Sequence, residues 1–145
     1  MMVGADWTGK DGASEDEIRK LQSRMPIELP ASFYNFLRVN NGGEGFASSS
    51  PFYFVLFSTE ELVSFIDEIE EIRECFPDFI FFGTSGGSDW IAFDTRKGPP
   101  FKIISTEVVG WPEYAIECAA DFEAFLQSIG RRRDVHDEAG FGGIE

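Results

Sequence analysis

The segment from Thr59 to Phe76 constrains the fold most strongly, because its apolar and acidic residues fall on opposite sides of one helix. At about 100° per residue, the apolar side carries Leu62, Phe65, Ile66, Ile69, Ile72 and Phe76. The opposite side carries the carboxylates Glu60, Glu61, Asp67, Glu68, Glu70, Glu71 and Glu74. A capping box over Ser58–Glu61 begins the predicted helix, which runs from about Thr59 to Cys75 and ends before Pro77. Each pair of carboxylates at i, i+4 spacing destabilises the helix by a few tenths of a kcal/mol. Burial of the apolar side stabilises the helix by more than this.

The composition predicts a folded domain around this helix. The 145-residue chain is long enough for one domain that buries its own hydrophobic core. Hydrophobic residues make up 43% and aromatic residues 15% of the chain, which excludes a disordered protein. We expect most of the 16 phenylalanines to lie in the core, although an exposed aromatic cluster could instead anchor an interface.

The net charge limits the possible partners, and the cysteines indicate the cellular compartment. The formal net charge is -14, which argues against nucleic acid as a direct partner because phosphate binding needs a basic patch. Cys75 and Cys118 provide neither a disulfide framework nor metal-ligand spacing, so we expect reduced thiols. The chain starts without a signal-peptide pattern, and its longest apolar run is far below the roughly 18 residues of a membrane span. We therefore expect a cytoplasmic protein.

Helices and strands on both sides of the acidic segment predict the fold class. Further helices are predicted from the Ser14–Glu17 capping box to about Arg24, where Pro26 stops the helix, from Leu29-Pro30 to Asn40-Gly43, and from about Ala119 to Ile129. Strands are predicted at residues 51–57, 79–82, 89–95 and 101–109, with a loop over residues 44–50. Short turns between the later strands favour antiparallel pairing. We therefore predict a single α+β domain with a mainly antiparallel sheet flanked by about four helices.

The two ends of the chain differ in composition from its middle. Residues 1–13 are rich in glycine and charge, and residues 131–145 are rich in glycine and acidic side chains. We expect both ends to be flexible. The folded domain is accordingly predicted over residues 14–130.

Three segments of the chain together resemble one protein family. The first runs from Leu29-Pro30 through an aromatic-rich helix to Asn41-Gly42-Gly43, and the second is the Gly-rich hairpin Phe82–Asp94. The third joins Trp111-Pro112-Glu113 to the closing helix around Phe122–Leu126. In this order and spacing they resemble the SUKH superfamily over about residues 14–129. This superfamily includes SMI/KNR-type fungal regulators of cell-wall (glucan) synthesis and many bacterial proteins.

The resemblance implies a class of function. It implies an α+β domain without known catalytic chemistry. Bacterial members are implicated as immunity proteins that bind and neutralise toxins, many of them nucleases. Fungal members act as signalling and scaffolding regulators. Members differ most in their binding surfaces, so the resemblance names no partner for this chain.

The residues themselves argue against catalysis, against a cofactor and against a histidine-based metal site, whereas a carboxylate-only magnesium site stays open as an alternative that no spacing pattern favours. The one histidine, His136, lies in the predicted tail, so a Ser-His-Asp or Cys-His site would need that tail to fold back. Asp89 and Asp94 are five residues apart on one strand and point to opposite faces. We expect Asp94 to begin a turn by accepting backbone hydrogen bonds. The Gly83–Ser88 segment lacks the lysine of a phosphate-binding loop and precedes a strand, which favours a hairpin turn.

The acidic helix offers the best candidate binding surface. From Glu60 to Asp78 there are eight carboxylates and one base, Arg73, so this segment carries a net charge of -7. One interpretation is a solvated face that aids solubility. The other is a surface for a basic protein partner, reached by fast and salt-sensitive association. The candidate partner-binding residues are Glu61, Asp67, Glu68, Glu71, Glu74, Asp78 and the aromatic Trp111.

Three hypotheses follow for the function. The first is a non-enzymatic immunity-type protein that neutralises a basic, nuclease-like toxin. The second is a regulatory scaffold similar to the fungal members, with an ordinary cellular protein as its partner. The third is a carboxylate enzyme that depends on Asp89 or Asp94, which the opposite orientations of the two side chains disfavour.

Overall fold

The computed structural model describes residues 3–68, 74–107 and 114–132. The helices are α1 (Glu15–Arg24), α2 (Ala31–Val39), α3 (Thr59–Glu68) and α4 (Phe122–Ser128). The strands are β1 (Trp7–Gly9), β2 (Gly43–Phe46), β3 (Tyr53–Leu56), β4 (Phe79–Thr84), β5 (Asp89–Asp94), β6 (Lys102–Glu107) and β7 (Ile116–Ala119). None of the helices in the described ranges is both long enough and apolar enough to cross a bilayer.

The seven strands form one sheet in which spatial order follows chain order. Every neighbouring pair is antiparallel, as expected for strands that are adjacent along the chain. The sheet and the four named helices make a single α+β domain, which confirms the predicted fold class.

Alternating side chains along the strands divide the core between the two faces of the sheet. In β4, Phe82 packs into the larger cluster with residues of α1, α2 and α4, whereas Phe79 and Phe81 belong to a smaller cluster. Phe33 of α2 lies at the centre of the larger cluster, with its ring centroid 5.2 Å from that of Phe93 and 5.4 Å from that of Phe122. The prediction that most phenylalanines lie in the core is confirmed in the described ranges.

Both predicted capping boxes are present. The Glu17 N–H donates to Ser14 Oγ at 3.1 Å, and the Ser14 N–H donates to Glu17 Oε1 at 2.8 Å. At the start of α3, the Ser58 N–H donates to Glu61 Oε1 at 2.8 Å and the Glu61 N–H donates to Ser58 Oγ at 3.2 Å. These local signals therefore set where α1 and α3 begin.

The structure differs from the sequence-based predictions at three strands. Residues 1–13 were expected to be flexible, yet β1 pairs with β2, and Trp7 is 9% exposed. Strand β2 replaces part of the loop predicted over residues 44–50, because it is held between β1 and β3. Strand β7 was not predicted, and it pairs with β6 across a register shift. Each of these short strands depends on its neighbours in the sheet rather than on its own sequence pattern.

Two predicted elements have different bounds in the structure. Helix α4 begins at Phe122 rather than near Ala119, because the Asp121 side chain accepts a hydrogen bond from the Ala124 N–H at 2.8 Å. Helix α3 is described to Glu68, and residues 74–75 are again helical, whereas residues 69–73 lie outside the described part of the chain. Residues 108–109 of the strand predicted over 101–109 also lie outside it.

Candidate functional site

A groove with aromatic walls lies along the first turns of α3. It is lined by Phe57, Glu60, Glu61, Ser64, Phe65 and Glu68, and its volume is about 380 Å³. We call these six residues the aromatic groove. Both phenylalanines are half-buried, and the three glutamates are exposed. The groove thus combines apolar walls with an acidic rim.

Local sequence signals position the walls of this groove. Phe57 directly follows β3, and the Ser58–Glu61 capping box then starts α3 without an intervening loop. One wall residue therefore comes from the end of a strand and the other, Phe65, from the helix, with ring centroids 5.5 Å apart. Behind the groove, the Phe65 ring stacks on Trp90 of β5 with centroids 5.0 Å apart and an interplanar angle of 26°. The sheet therefore fixes the orientation of the Phe65 ring.

The carboxylates of the groove differ in their partners. Within the described ranges, Glu60 and Glu68 form no ion pair. Glu61 has a structural role because it accepts the Ser58 N–H. It also lines a second cavity of about 510 Å³ on the exposed side of β1–β3, together with Glu44, Tyr53 and Val55. Glu61 thus connects the aromatic groove with the exposed side of the sheet.

A hydrogen bond holds the Glu44 side chain in place on the exposed side of β1–β3. The Tyr53 hydroxyl donates to Glu44 Oε2 at 2.5 Å. This hydrogen bond raises the pKa of Tyr53, with smaller contributions in the same direction from desolvation and from the charge of Glu44. The Tyr53 hydroxyl therefore keeps its proton at neutral pH and holds the Glu44 carboxylate in place.

The structure separates the residues that the sequence grouped as one binding surface. Glu61 and Glu68 lie in the aromatic groove. Asp67 instead forms an ion pair with Arg24 of α1. Glu74 and Asp78 line a different cavity, of about 550 Å³. The two remaining candidates, Glu71 and Trp111, lie outside the described residues.

Sequence reasoning did not identify the aromatic walls as part of a site. Phe57 was assigned to a strand, and Phe65 to the apolar side of the helix. A signal was nevertheless present, since Phe65 follows Glu61 at the i, i+4 spacing and precedes Glu68 at the i, i+3 spacing. These spacings place Phe65 at the boundary between the apolar and acidic sides of α3.

The two aspartates considered for catalysis are separate in the structure. Asp94 begins a turn as predicted, because its Oδ1 accepts the Arg96 N–H at 3.0 Å. Its carboxylate also forms an ion pair with the Arg96 guanidinium, with Nη2 and Oδ2 2.8 Å apart. Desolvation acts to raise the pKa of Asp94, but the hydrogen bonds and charge of Arg96 outweigh it, so this pKa is lowered. Asp89 lies at the other end of β5.

No group of three or more histidine, cysteine, aspartate or glutamate side chains in the described ranges is arranged to hold a metal ion. A carboxylate rim beside apolar rings fits a partner that is both basic and partly apolar.

Comparison with known proteins assigns the family. No curated protein matches the chain at a significant level of similarity. A sequence model of the SMI1 / KNR4 family (SUKH-1) matches residues 12–128, which include the described helices and all strands except β1. This match confirms the resemblance to the SUKH superfamily and supports a protein-binding or immunity-type role in general. The chain therefore belongs to the SMI1 / KNR4 family (SUKH-1).

Proposed function

We propose that this protein is a non-enzymatic immunity-type protein that binds and neutralises a basic, nuclease-like toxin. Its partner-binding surface is the acidic side of α3 together with the aromatic groove. Family membership supports a protein-binding role, and the net charge of -14 supports a basic partner. The surface covers the active site of the toxin and so prevents nucleic acid from reaching it.

The observation that carries this proposal is the acidic rim around half-buried aromatic rings. Glu60 and Glu68 lie beside Phe57 and Phe65 without an ion pair from the described part of the chain. Interfaces depend on a few central aromatic or arginine anchors, surrounded by polar groups that exclude water. The groove has this composition.

Electrostatics explain why an acidic surface suits such a partner. A toxin that acts on nucleic acid presents Lys and Arg to the phosphate backbone. An acidic inhibitor is therefore attracted to the same surface, and association between opposite charges can be faster than between neutral partners by about 10–1000-fold. This acceleration falls steeply as salt screens the charges. Fast association at low salt is thus the expected signature.

The first experiment captures the partner with the full chain from lysate of the source organism. Bound proteins are washed at low and at high salt and identified by mass. A basic nuclease domain that elutes at high salt, and whose activity the purified chain inhibits, supports the proposal. A neutral cellular protein that stays bound at high salt contradicts it and favours the regulatory scaffold.

A charge-reversal series then tests the surface. We expect the double variant Glu60→Lys/Glu68→Lys to associate with the purified toxin about 10-fold more slowly than the wild type at low salt. The matched control is Glu123→Lys, an exposed glutamate on α4. Association rates are measured by stopped-flow mixing at two salt concentrations. Equal association rates for the α3 variants and the wild type would show that this helix does not lie in the interface.

A further inference from the structure

The chain holds two of its own arginines by the same arrangement of an aromatic ring and a carboxylate. Arg132 Cζ lies 4.0 Å from the centroid of the Phe46 ring, and its Nε lies 3.3 Å from Asp6 Oδ2. Arg96 Cζ lies 5.1 Å from the centroid of the Phe79 ring, and its guanidinium is paired with Asp94. In each case the ring attracts the cation through its negative face while the carboxylate binds the N–H groups.

The aromatic groove contains the same two components. Phe57 and Phe65 supply the rings, and Glu60, Glu61 and Glu68 supply the carboxylates. No lysine or arginine of the described ranges lines this groove. It therefore has the components that bind Arg96 and Arg132, and no cation from the described part of the chain lies among them.

The geometry of the rings restricts how a cation can enter. The two ring centroids are 5.5 Å apart, and the ring planes are tilted by 48°. This distance is too short for a cation to insert between the rings. A cation must therefore lie across the ring faces, within about 6 Å of a centroid. Because one face of the Phe65 ring stacks on Trp90, a cation can reach this ring only from its other face or its edge, and Phe65 lines the aromatic groove as well as the cavity beside Glu74.

A guanidinium group fits this position better than an ammonium group does. It is planar and weakly hydrated, so it can lie flat on an aromatic ring with little desolvation cost. Its N–H groups can donate at the same time to carboxylates at the edge of the ring. An ammonium group is compact and strongly hydrated, so its desolvation costs more free energy when it contacts the ring.

We propose that the aromatic groove binds the guanidinium group of an arginine side chain presented by the protein partner. The proposal rests on the proposed function for the existence of a basic partner. The chemistry of the groove can be tested without that partner.

The test is an NMR titration of the full-length, ¹⁵N-labelled chain with capped pentapeptides. The probe peptide is Gly-Gly-Arg-Gly-Gly, and the matched peptides carry lysine or the uncharged citrulline in place of arginine. We expect the arginine peptide to shift the Trp90 indole N–H and the backbone N–H signals from Phe57 to Glu68. One such side chain should bind with a dissociation constant of about 1–10 mM. Lysine should bind several-fold more weakly, and citrulline should cause no shift at these signals.

Two variants locate the contact, and one serves as a control. We expect Phe65→Leu and Glu68→Gln each to weaken binding of the arginine peptide by about threefold to tenfold. Glu68→Gln keeps the test valid if Phe65→Leu disturbs the packing against Trp90. Glu123→Gln, which removes an exposed carboxylate on α4, should leave binding unchanged.

Each outcome separates this inference from the proposed function. Absence of shifts at about 20 mM peptide, or equal shifts from citrulline, would overturn the guanidinium site. If the toxin is nevertheless captured in a salt-sensitive manner, the proposed function stands and only the site is wrong. If the arginine peptide binds but the captured partner is neutral and salt-insensitive, the site stands and the toxin hypothesis is wrong.

Discussion

Gly4 and Gly130 pack backbone against backbone. A Cβ atom added to Gly130 would lie 2.5 Å from the carbonyl oxygen of Gly4, and Gly130 has a φ of +78°. Around this contact, the Gly4 N–H donates to the Ile129 carbonyl at 3.0 Å, and the Asp6 N–H donates to the Gly130 carbonyl at 2.7 Å. The residues that follow α4 are thus joined to the segment that precedes β1, so this segment belongs to the folded domain.

The first prediction concerns this contact. We expect Gly130→Ala to destabilise the protein by about 1–3 kcal/mol, because it adds a steric overlap to the strain of a positive φ. Urea unfolding followed by circular dichroism measures the change. The matched control is Gly98→Ala, which has a φ of +76° but no atom within 4 Å of the added Cβ. If both variants lose the same stability, the packing of Gly4 on Gly130 contributes nothing.

The second prediction concerns the start of α3. We expect Ser58→Ala to lower the free energy of unfolding by about 0.5–2 kcal/mol, because the Glu61 N–H loses its acceptor. Equilibrium unfolding in urea provides the measurement. Ser64→Ala, an exposed position on the same helix, should change stability by less than about 0.5 kcal/mol. Similar losses in the two variants would contradict a capping role for Ser58.

The third prediction concerns the pH dependence of stability. The pKa of Asp94 is lowered from the ordinary value of 3.8. Its carboxylate therefore stabilises the folded state above that value, and this contribution is lost as the pH falls through the lower folded-state pKa. A double-mutant cycle of Asp94→Asn and Arg96→Met, measured by urea unfolding, isolates the pair. We expect a favourable coupling energy at pH 7 that declines as the pH falls below 3.8 and through the lowered pKa of Asp94.

A coupling energy that does not decline at any pH below 3.8 at which the protein is still folded would show that the charge of Asp94 does not contribute to the pair. The cycle is needed because the Arg96 guanidinium also lies over the Phe79 ring. Replacing Arg96 alone therefore removes more than the ion pair.

The fourth prediction concerns the two cysteines. Burial raises the pKa of the Cys118 thiol to about 11 despite the opposing hydrogen bond with Ser105. At pH 8 only about 0.1% of such a thiol is the reactive thiolate. We expect iodoacetamide to modify the exposed Cys75 first, as followed by intact mass. In Cys75→Ser, the remaining thiol should react slowly in the native protein and quickly in urea. Equal rates in the two conditions would contradict the partial burial of Cys118 in the structure.

Several features could be predicted from the sequence because their causes are local. The Ser14–Glu17 and Ser58–Glu61 capping boxes depend on residues three positions apart, so they mark the starts of α1 and α3. The turn at Asp94 depends on a hydrogen bond from Arg96, two residues further along the chain. The same locality explains why the carboxylates of α3 could be recognised as a group.

Features that depend on distant partners could not be predicted in the same way. Strands β1 and β2 contain glycines that disfavour extended structure on their own. They form because Trp7 faces Gly45 across the pair and packs into the core, with its ring against Phe36 of α2. The burial of Trp7 therefore comes from residues far away along the chain.

The sequence by itself determined the fold class, the starts of the helices and the acidic character of α3, because these follow from residue periodicity and from contacts between near neighbours. Only the tertiary structure decided which carboxylates share a surface. It pairs Asp67 with Arg24 and leaves Glu60 and Glu68 beside Phe57 and Phe65. Periodicity distinguishes the sides of a helix, but the elements packed against that helix decide whether a side is covered, neutralised or open to a partner.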